Sequence, residues 1–260
     1  MGVERIGATF AAREKEGRKA LIVYLCAGDP SLEVTAAAVE ELAAAGVDII
    51  ELGVPFSDPV ADGPVIQAAS TRALAGGTNL RKILDLVKDL RSRVSLPLVL
   101  MSYYNPLLQY GLAALAADLA AAGVDGLIVP DLPLEESAPL REKLAAVKLA
   151  AIPLVAPTTP AERLQQIAAA AQGFIYCVSL TGVTGARESL PPGIAAYLAR
   201  VRETTDLPLG VGFGISHPEQ ARLLAPLCDG IIVGSAIVRE LHEGGLPAAV
   251  KLVQNLRQAI

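Results

Sequence analysis

The sequence contains few of the residues that bind metals or form crosslinks. Its 260 residues include only two histidines and three cysteines. Cys26, Cys177 and Cys228 are odd in number, far apart and set in apolar stretches, as expected for core residues of a protein in a reducing compartment. His217 and His242 do not have the spacing of metal ligands, nor do they suggest a Ser-His-Asp set. The sequence therefore favours neither a disulfide framework nor a histidine metal site.

Long apolar runs and basic stripes are also missing. No run reaches the roughly 20 residues that a membrane-spanning helix needs, and the charged N-terminal segment lacks the apolar core of a signal peptide. The net charge of -5 argues against nucleic acid as the main partner. We expect a soluble cytoplasmic protein.

Two further kinds of chemistry lack suitably placed residues. All seven lysines fall in predicted helices or just before predicted strands, so none is placed to form a Schiff base at the carboxyl end of a strand. The segment from Gly210 to Gly214 is close to a dinucleotide-binding glycine pattern, but it lacks the later glycine.

Apolar runs typical of buried strands alternate with helical patterns along the whole sequence. After a leading helix over 3–15, eight strands are predicted at 20–27, 47–54, 97–103, 126–129, 152–156, 174–178, 209–212 and 230–233. Strands that are apolar on both faces indicate a parallel sheet covered by helices. At about the usual length for such a fold, the sequence predicts an α/β protein, a single (β/α)8 TIM barrel domain over residues 1–260, with an extra N-terminal helix and extra crossover helices. An open doubly wound sheet is the alternative.

A carboxylate in the middle of the second predicted strand is the main sign of catalysis. Glu51 has apolar neighbours on both sides, and a carboxylate buried without a partner responds with a raised pKa, which suits general acid/base work near pH 7. The following loop adds Asp58 and Asp62. Carboxylates at strand ends gather at the active face of a barrel. This favours catalysis over the alternative, a Glu51 paired with an arginine and two aspartates that cap helices.

Two more polar residues accompany the predicted strands. Asp131, after the fourth strand, is as well suited to fixing a turn as to catalysis. Tyr176, within the sixth, is more often a core aromatic than a catalyst. Together with Glu51 and Asp62 they form a set that can move protons but offers no electron sink. Cleavage of a carbon–carbon bond here would need a substrate that supplies its own sink.

Glycines follow each of the last three predicted strands, at 182–185, 212–214 and 234. Glycine lets backbone N–H groups approach an anion, and Ser235 stands at a helix start where such groups are unpaired. Barrels often bind phosphate with the loops after strands 7 and 8. We therefore predict a phosphate site rather than ordinary turns. Residues 181–193 have the composition of a lid, or of an ordinary surface loop.

The segment from Ile50 to Gly63, I-E-L-G-V-P-F-S-D-P-V-A-D-G, resembles the signature of the tryptophan synthase alpha chain family. The segments P-D-L-P at 130–133, Y-C-V-S-L-T-G-V-T-G at 176–185 and G-F-G-I-S from 212 fall in the family's order. The resemblance implies a barrel that splits indole-3-glycerol phosphate into indole and glyceraldehyde 3-phosphate by a retro-aldol reaction. The indole ring would be the electron sink, so no metal and no cofactor is expected in this chain.

The resemblance also implies roles for individual residues. Glu51 matches the family's acid/base, which serves the proton transfers at indole C3 and at the glycerol hydroxyl. Asp62 matches the carboxylate that stabilises positive charge on the indole nitrogen. The implied substrate-binding positions are Tyr176 and Thr184 around the site and its closing loop, Gly185, Gly214, Gly234 and Ser235 in the phosphate cradle, and Tyr24, Met101, Tyr103, Ile128 and Phe213 in the indole pocket.

A partner follows from the same resemblance. The family's alpha chain docks on a beta chain that carries pyridoxal phosphate, in an alpha2-beta2 tetramer of tryptophan biosynthesis, and Asp58, Asn105 and Pro106 match the region that faces it. Three other hypotheses remain: a stand-alone lyase that releases free indole, a catalytically silent subunit, and an unrelated phosphate-binding barrel such as a sugar-phosphate isomerase. A silent subunit would be marked by substitution at Glu51 or Asp62, and both carboxylates are present.

Overall fold

Parallel strands form one sheet in the computed structural model, which describes residues 2–178, 192–212 and 214–260. The strands of this part of the chain are β1 (Ala20–Cys26), β2 (Ile49–Gly53), β3 (Leu98–Met101), β4 (Gly126–Ile128), β5 (Ala150–Ile152), β6 (Leu154–Val155), β7 (Ile175–Val178), β8 (Leu209–Gly212) and β9 (Gly230–Val233). Their order is β5-β4-β3-β2-β1-β9-β8-β7-β6, and every pair is parallel.

The two edges of this sheet are halves of one interrupted strand. β5 pairs with β4, β6 pairs with β7, and only Pro153 separates β5 from β6. Proline has no N–H to donate to a ladder, but the Pro153 carbonyl accepts from the Tyr176 N–H at 3.0 Å. The sheet therefore curls into the predicted barrel, and the open doubly wound alternative is wrong. The fifth strand was predicted at 152–156, whereas the observed strand β5 begins two residues earlier, at Ala150.

Helices cover the outside of the barrel, as predicted. They are α1 (Gly2–Lys15), α2 (Leu32–Ala44), α3 (Pro64–Ala75), α4 (Leu80–Leu90), α5 (Tyr104–Tyr110), α6 (Leu112–Ala122), α7 (Ala138–Ala146), α8 (Ala161–Ala170), α9 (Ile194–Arg202), α10 (Pro218–Leu224), α11 (Ser235–Glu243) and α12 (Gly245–Ala259), with short 3-10 turns at Leu134–Glu136 and Ala225–Leu227. None of those in the described ranges is long and apolar enough to cross a membrane.

Two helical segments differ from the sequence prediction. The region from Ser235 onward was predicted as one helix to the C-terminus, but it consists of two. Helix α11 ends before Gly244, and α12 begins at Gly245, whose φ is +75°. Helix α5 was not predicted, because its Tyr-Asn-Pro start has the composition of a turn. Gly111, with φ +91°, separates α5 from α6.

The interior of the barrel is apolar at its N-terminal end. Ile6 and Phe10 of α1 close this end, and the Phe10 ring lies 5.6 Å from that of Phe174 between centroids. The other buried members of this cluster come from the strands: Ala20, Ile22, Ile49, Val99, Ile128, Ala150, Ile152 and Ile232. The extra N-terminal helix is therefore the plug of the barrel.

An aspartate just before β4 ties this end of the barrel together. Asp125, 1% exposed, accepts from the Leu98 N–H at the start of β3 at 2.9 Å. It pairs with Arg91 at 2.6 Å and with Arg5 at 2.5 Å. Arg91 also donates to the Gly123 carbonyl, and a Cβ at position 123 would lie 2.6 Å from the Arg91 side chain.

A second copy of this arrangement precedes β2. The motif A-A-G-V-D recurs there, and Asp48 accepts from the Leu21 N–H at 2.8 Å while it pairs with Arg257 at 2.7 Å. The Arg257 stem packs against Gly46, as the Arg91 stem does against its glycine. Before β9, Asp229 likewise accepts from a strand N–H and pairs with an arginine. Carboxylates at this end are thus held by arginine.

Candidate active site

Glu51 lies on β2 with its side chain inside the barrel and is completely buried. It is level with Tyr24 on β1 and Val99 on β3. Neither carboxyl oxygen has a hydrogen-bond partner in the part of the chain that the structure describes, and no arginine there pairs with it. Because burial disfavours the charged form, the pKa of Glu51 rises from 4.5 to about 8. The side chain is therefore mostly protonated near neutral pH.

Asp62 lies in the loop between β2 and α3, half-buried. A turn holds it, because its N–H donates to the Pro59 carbonyl at 3.0 Å and its carbonyl accepts from the Gln67 side chain at 2.8 Å. Burial raises the pKa of Asp62, and the adjacent Tyr103 hydroxyl opposes that rise. The same hydroxyl accepts from the Ala61 N–H at 2.9 Å. Tyr103 therefore positions the loop that carries Asp62.

Tyr24, which is buried, and Tyr176, which is half-buried, complete this group. Desolvation raises the pKa of Tyr24 and of Tyr176 far above the ordinary range, and the negative charges of Glu51 and Asp62 add to the rise at both. Both tyrosines are thus close enough to the two carboxyl groups for the charges of Glu51 and Asp62 to act on them. The structure brings together residues of β1, β2, β7 and the loop after β2.

Strand glycines make room for both tyrosine rings. A Cβ at Gly53 would lie 2.0 Å from the Tyr24 hydroxyl oxygen, and one at Gly212 would lie 2.9 Å from that of Tyr176. Gly53 is not among the functional residues predicted from the sequence. A glycine inside a strand, where it weakens the sheet, is the signal that indicates a close approach of this kind.

The predicted indole-pocket residues occupy different depths of the barrel. Ile128 belongs to the apolar cluster closed by α1, and Met101 packs between that cluster and the one around Tyr24. Tyr103 lies nearer the mouth, where its ring is 5.3 Å from that of Phe56 between centroids. Phe213 lies outside the described residues.

The predicted phosphate cradle is described in part. Gly234 and Ser235 form the junction of β9 and α11, and Ser235, exposed, is the first residue of the helix. The first N–H groups of a helix have no partner within it and attract anions. Gly214 has φ +59°, and a Cβ at this position would meet no atom of the described residues within 4 Å. Thr184 and Gly185, and residues 181–191 of the predicted lid, lie outside the described residues.

Asp131 and Asp58 have other surroundings. The Asp131 carboxylate accepts from the Tyr104 N–H at 2.9 Å and so ties its loop to the start of α5. Asp58 is exposed and accepts from the Ser57 hydroxyl at 2.5 Å. Nearby Val60 is 84% exposed. These residues lie outside the group around Glu51.

The arrangement can transfer protons. It offers one buried carboxyl group that is protonated near neutral pH, a second, half-buried carboxyl group and backbone N–H groups at a helix start that have no partner within the helix. No cluster of His, Cys, Asp or Glu able to hold a metal ion is found among the residues described. This chemistry suits a phosphorylated substrate whose own ring takes up electrons.

Comparison with known proteins identifies the family. The family profile described as "Tryptophan synthase alpha chain" matches residues 10–259. The tryptophan synthase alpha chain of Synechococcus elongatus is 52% identical over 256 residues, 98% of this chain and 96% of that protein. That of Carboxydothermus hydrogenoformans is 52% identical over 236 residues, 91% of this chain and 88% of that protein.

Solved structures agree with the sequence relatives. Tryptophan synthase subunit alpha from Legionella pneumophila superposes with a TM-score of 0.92 at 39% identity, covering 98% of both chains. A structure of Mycobacterium tuberculosis tryptophan synthase gives 0.93 at 41% identity, again over 98% of both. The chain therefore belongs to the tryptophan synthase alpha chain family and is a lyase subunit that cleaves indole-3-glycerol phosphate.

Proposed function

We propose that Glu51 is the acid/base of this cleavage. A neutral carboxyl group donates a proton to indole C3, and the resulting carboxylate then accepts the proton of the glycerol hydroxyl as the carbon–carbon bond breaks. The bonding electrons return to the ring, and indole and glyceraldehyde 3-phosphate are formed. One group both gives and takes the proton, so the steps balance. The raised pKa of Glu51, caused by burial without a partner, is the observation that carries this proposal.

Asp62 is proposed to act at the other end of the ring. Protonation at C3 places positive charge on the indole nitrogen, and a carboxylate beside that nitrogen stabilises the charge. Asp62 is half-buried at the barrel mouth, where Tyr103 fixes its loop. Two carboxyl groups thus take different roles because their surroundings differ.

The remaining predicted residues are proposed to bind the substrate. Tyr24, Met101, Tyr103, Ile128, Tyr176 and Phe213 form the indole pocket. The phosphate lies at the start of α11, against Gly234 and Ser235, with Thr184, Gly185 and Gly214 contributed by the neighbouring loops. The N–H groups at this helix start, which have no partner within the helix, support the anion site.

We further propose that the chain is a single domain and that it works in the cytoplasm. There it binds a beta chain that carries pyridoxal phosphate. The alpha chain itself needs no cofactor for the steps above. The exposed loop with Asp58 and Val60, together with Asn105 and Pro106 of α5, forms the proposed docking face. The relatives named as tryptophan synthase do not favour the stand-alone lyase.

The test is indole release from indole-3-glycerol phosphate by the purified chain, with and without a cognate beta chain. Slow turnover that rises steeply with the beta chain is the expected result. Fast turnover by the chain alone would contradict the dependence on a partner, and absence of indole under both conditions would contradict the proposed chemistry.

A further inference from the structure

A cleft on the outside of the barrel lies between strands β4–β6 and helices α7 and α8. Its volume is about 290 Å³. Its walls are mainly aliphatic, and they include Leu127, Leu140, Leu144 and Ile167. Neither Glu51 nor Asp62 lines it, so the cleft is distinct from the active site.

One cation on this wall has no counter-charge in the part of the chain that the structure describes. Arg141 of α7 makes a single hydrogen bond to the described residues: its Nη1 donates to the Ala170 carbonyl at 3.5 Å. Its Nε is buried there without an acceptor. Arg141 as a whole is half-buried, but leaving its buried Nε donor unmet is costly, and a carboxylate or phosphate is the usual partner of a guanidinium.

The other polar groups that line the cleft are occupied. Arg163 of α8 is held by Glu135 through two hydrogen bonds. Asp131, at the exposed rim, accepts from the start of α5. The Thr159 hydroxyl accepts from the Ala156 N–H at 3.0 Å. Among the described residues that line the cleft, Arg141 is therefore the cation without a counter-charge.

We propose that this cleft binds a small organic carboxylate with an apolar body. The guanidinium presents adjacent N–H groups that match the two oxygens of a carboxylate. The aliphatic walls favour an apolar body, and the volume is near the lower end for ligand pockets, which limits that body to about one ring. An inorganic anion alone would leave the walls in contact with water.

The test is a calorimetric titration of the full chain with 3-phenylpropionate and with its neutral counterpart, 3-phenylpropionamide. We expect the carboxylate to bind at least about tenfold more tightly than the amide, because only the carboxylate pairs with the charge. Arg141→Gln abolishes that preference. Ala170→Leu, which fills the cleft and keeps the arginine, weakens binding of both probes. Arg222→Gln, an exposed arginine on α10, changes neither affinity.

Several outcomes would overturn the proposal. They are equal affinities for the two probes, an unchanged preference in Arg141→Gln, and no binding at millimolar concentration. Release of the probe by saturating indole-3-glycerol phosphate, together with unchanged binding in Ala170→Leu, would assign it to the barrel mouth instead. If Arg141→Gln folds poorly, Ala170→Leu and a crystal soaked with 3-phenylpropionate decide the question.

Discussion

The ring of Tyr24 occupies the space that a side chain at position 53 would need. The two residues lie on adjacent strands, and the Tyr24 hydroxyl oxygen would be only 2.0 Å from a Cβ at Gly53. The backbone of β2 is thus in direct contact with the aromatic residue next to Glu51. Tyr24 and Gly53 form one unit of packing at the active site.

Gly53→Ala should displace Tyr24 and lower both stability and lyase activity. Overpacking of a buried site typically costs about 1–3 kcal/mol. Chemical unfolding and indole release measure the two effects. Gly7→Ala is the control, because a Cβ at this helical glycine meets nothing within 4 Å and should stabilise α1 by up to about 1 kcal/mol. If Gly53→Ala lowered the stability of a Tyr24→Ala variant by as much as it lowers that of the wild-type chain, the contact between the two residues would be contradicted.

Glu51→Gln should lower indole release by at least about 100-fold, because an amide can neither give nor take the proton. Binding of a phosphorylated substrate analogue should be almost unchanged. Glu142→Gln, at an exposed position of α7, is the matched control. For the wild-type chain, kcat/KM should fall as the pH rises above about 8, the pKa of Glu51, because the proton donor is then lost. Equal loss of binding and turnover would indicate a structural role.

The stability of the chain should depend on pH through the same carboxyl group. The pKa of Glu51 is higher in the folded state than in the unfolded state, so folded molecules bind more protons and stability falls as the pH rises from about 4.5 to about 8. Glu51→Gln removes this term. Urea unfolding should therefore show similar stabilities near pH 4.5 and a more stable variant at pH 8.5. If the difference in stability between the wild-type chain and Glu51→Gln did not change with pH, the pH dependence could not be assigned to Glu51.

Tyr103→Phe should lower kcat/KM about tenfold, because the Ala61 N–H loses its acceptor and Asp62 loses the adjacent hydroxyl. The control is Tyr110→Phe. This variant also removes a hydroxyl that donates to an aspartate, Asp118, at 2.6 Å. That pair joins the end of α5 to α6, however, and does not involve the loop of Asp62. Similar kinetics for the two variants would show that the hydroxyl at position 103 does not position the loop.

Asp125→Asn should destabilise the barrel by about 1–3 kcal/mol, because the half-buried Arg91 loses its counter-charge. The activity of the folded protein should persist, since this end of a barrel serves stability. Asp206→Asn, at an exposed position, is the control, with little expected change. Thermal unfolding and indole release at low temperature separate the two effects. Loss of activity without loss of stability would contradict this division.

The strand positions could be predicted well because glycine and proline delimit short apolar runs. β8 and β9 have the predicted ends, and Glu51 lies inside the barrel as predicted. The interruption at Pro153 was missed, since a proline within an apolar run does not show which neighbour each half pairs with.

The pairing of charges could not be predicted. Asp48 and Arg257 are 209 residues apart, and no local pattern links them. Recurrence of A-A-G-V-D before β2 and β4 was the available signal, because a motif repeated before two strands indicates a repeated structural role. In the same way, the sequence shows that Glu51 has apolar neighbours along its strand, but only the fold shows that no arginine of the described residues reaches it.

The two ends of the barrel use the same kind of side chain in opposite ways. Asp125 and Asp48, before their strands, are neutralised by arginine, whereas Glu51, inside β2, faces no cation in the described part of the chain. Mutations that reshape the substrate pocket therefore leave the arginine pairs intact. Selection can therefore adjust thermal tolerance at the arginine pairs without touching the catalytic carboxyl group, whereas changes beside Glu51 affect both the reaction and the stability of the fold.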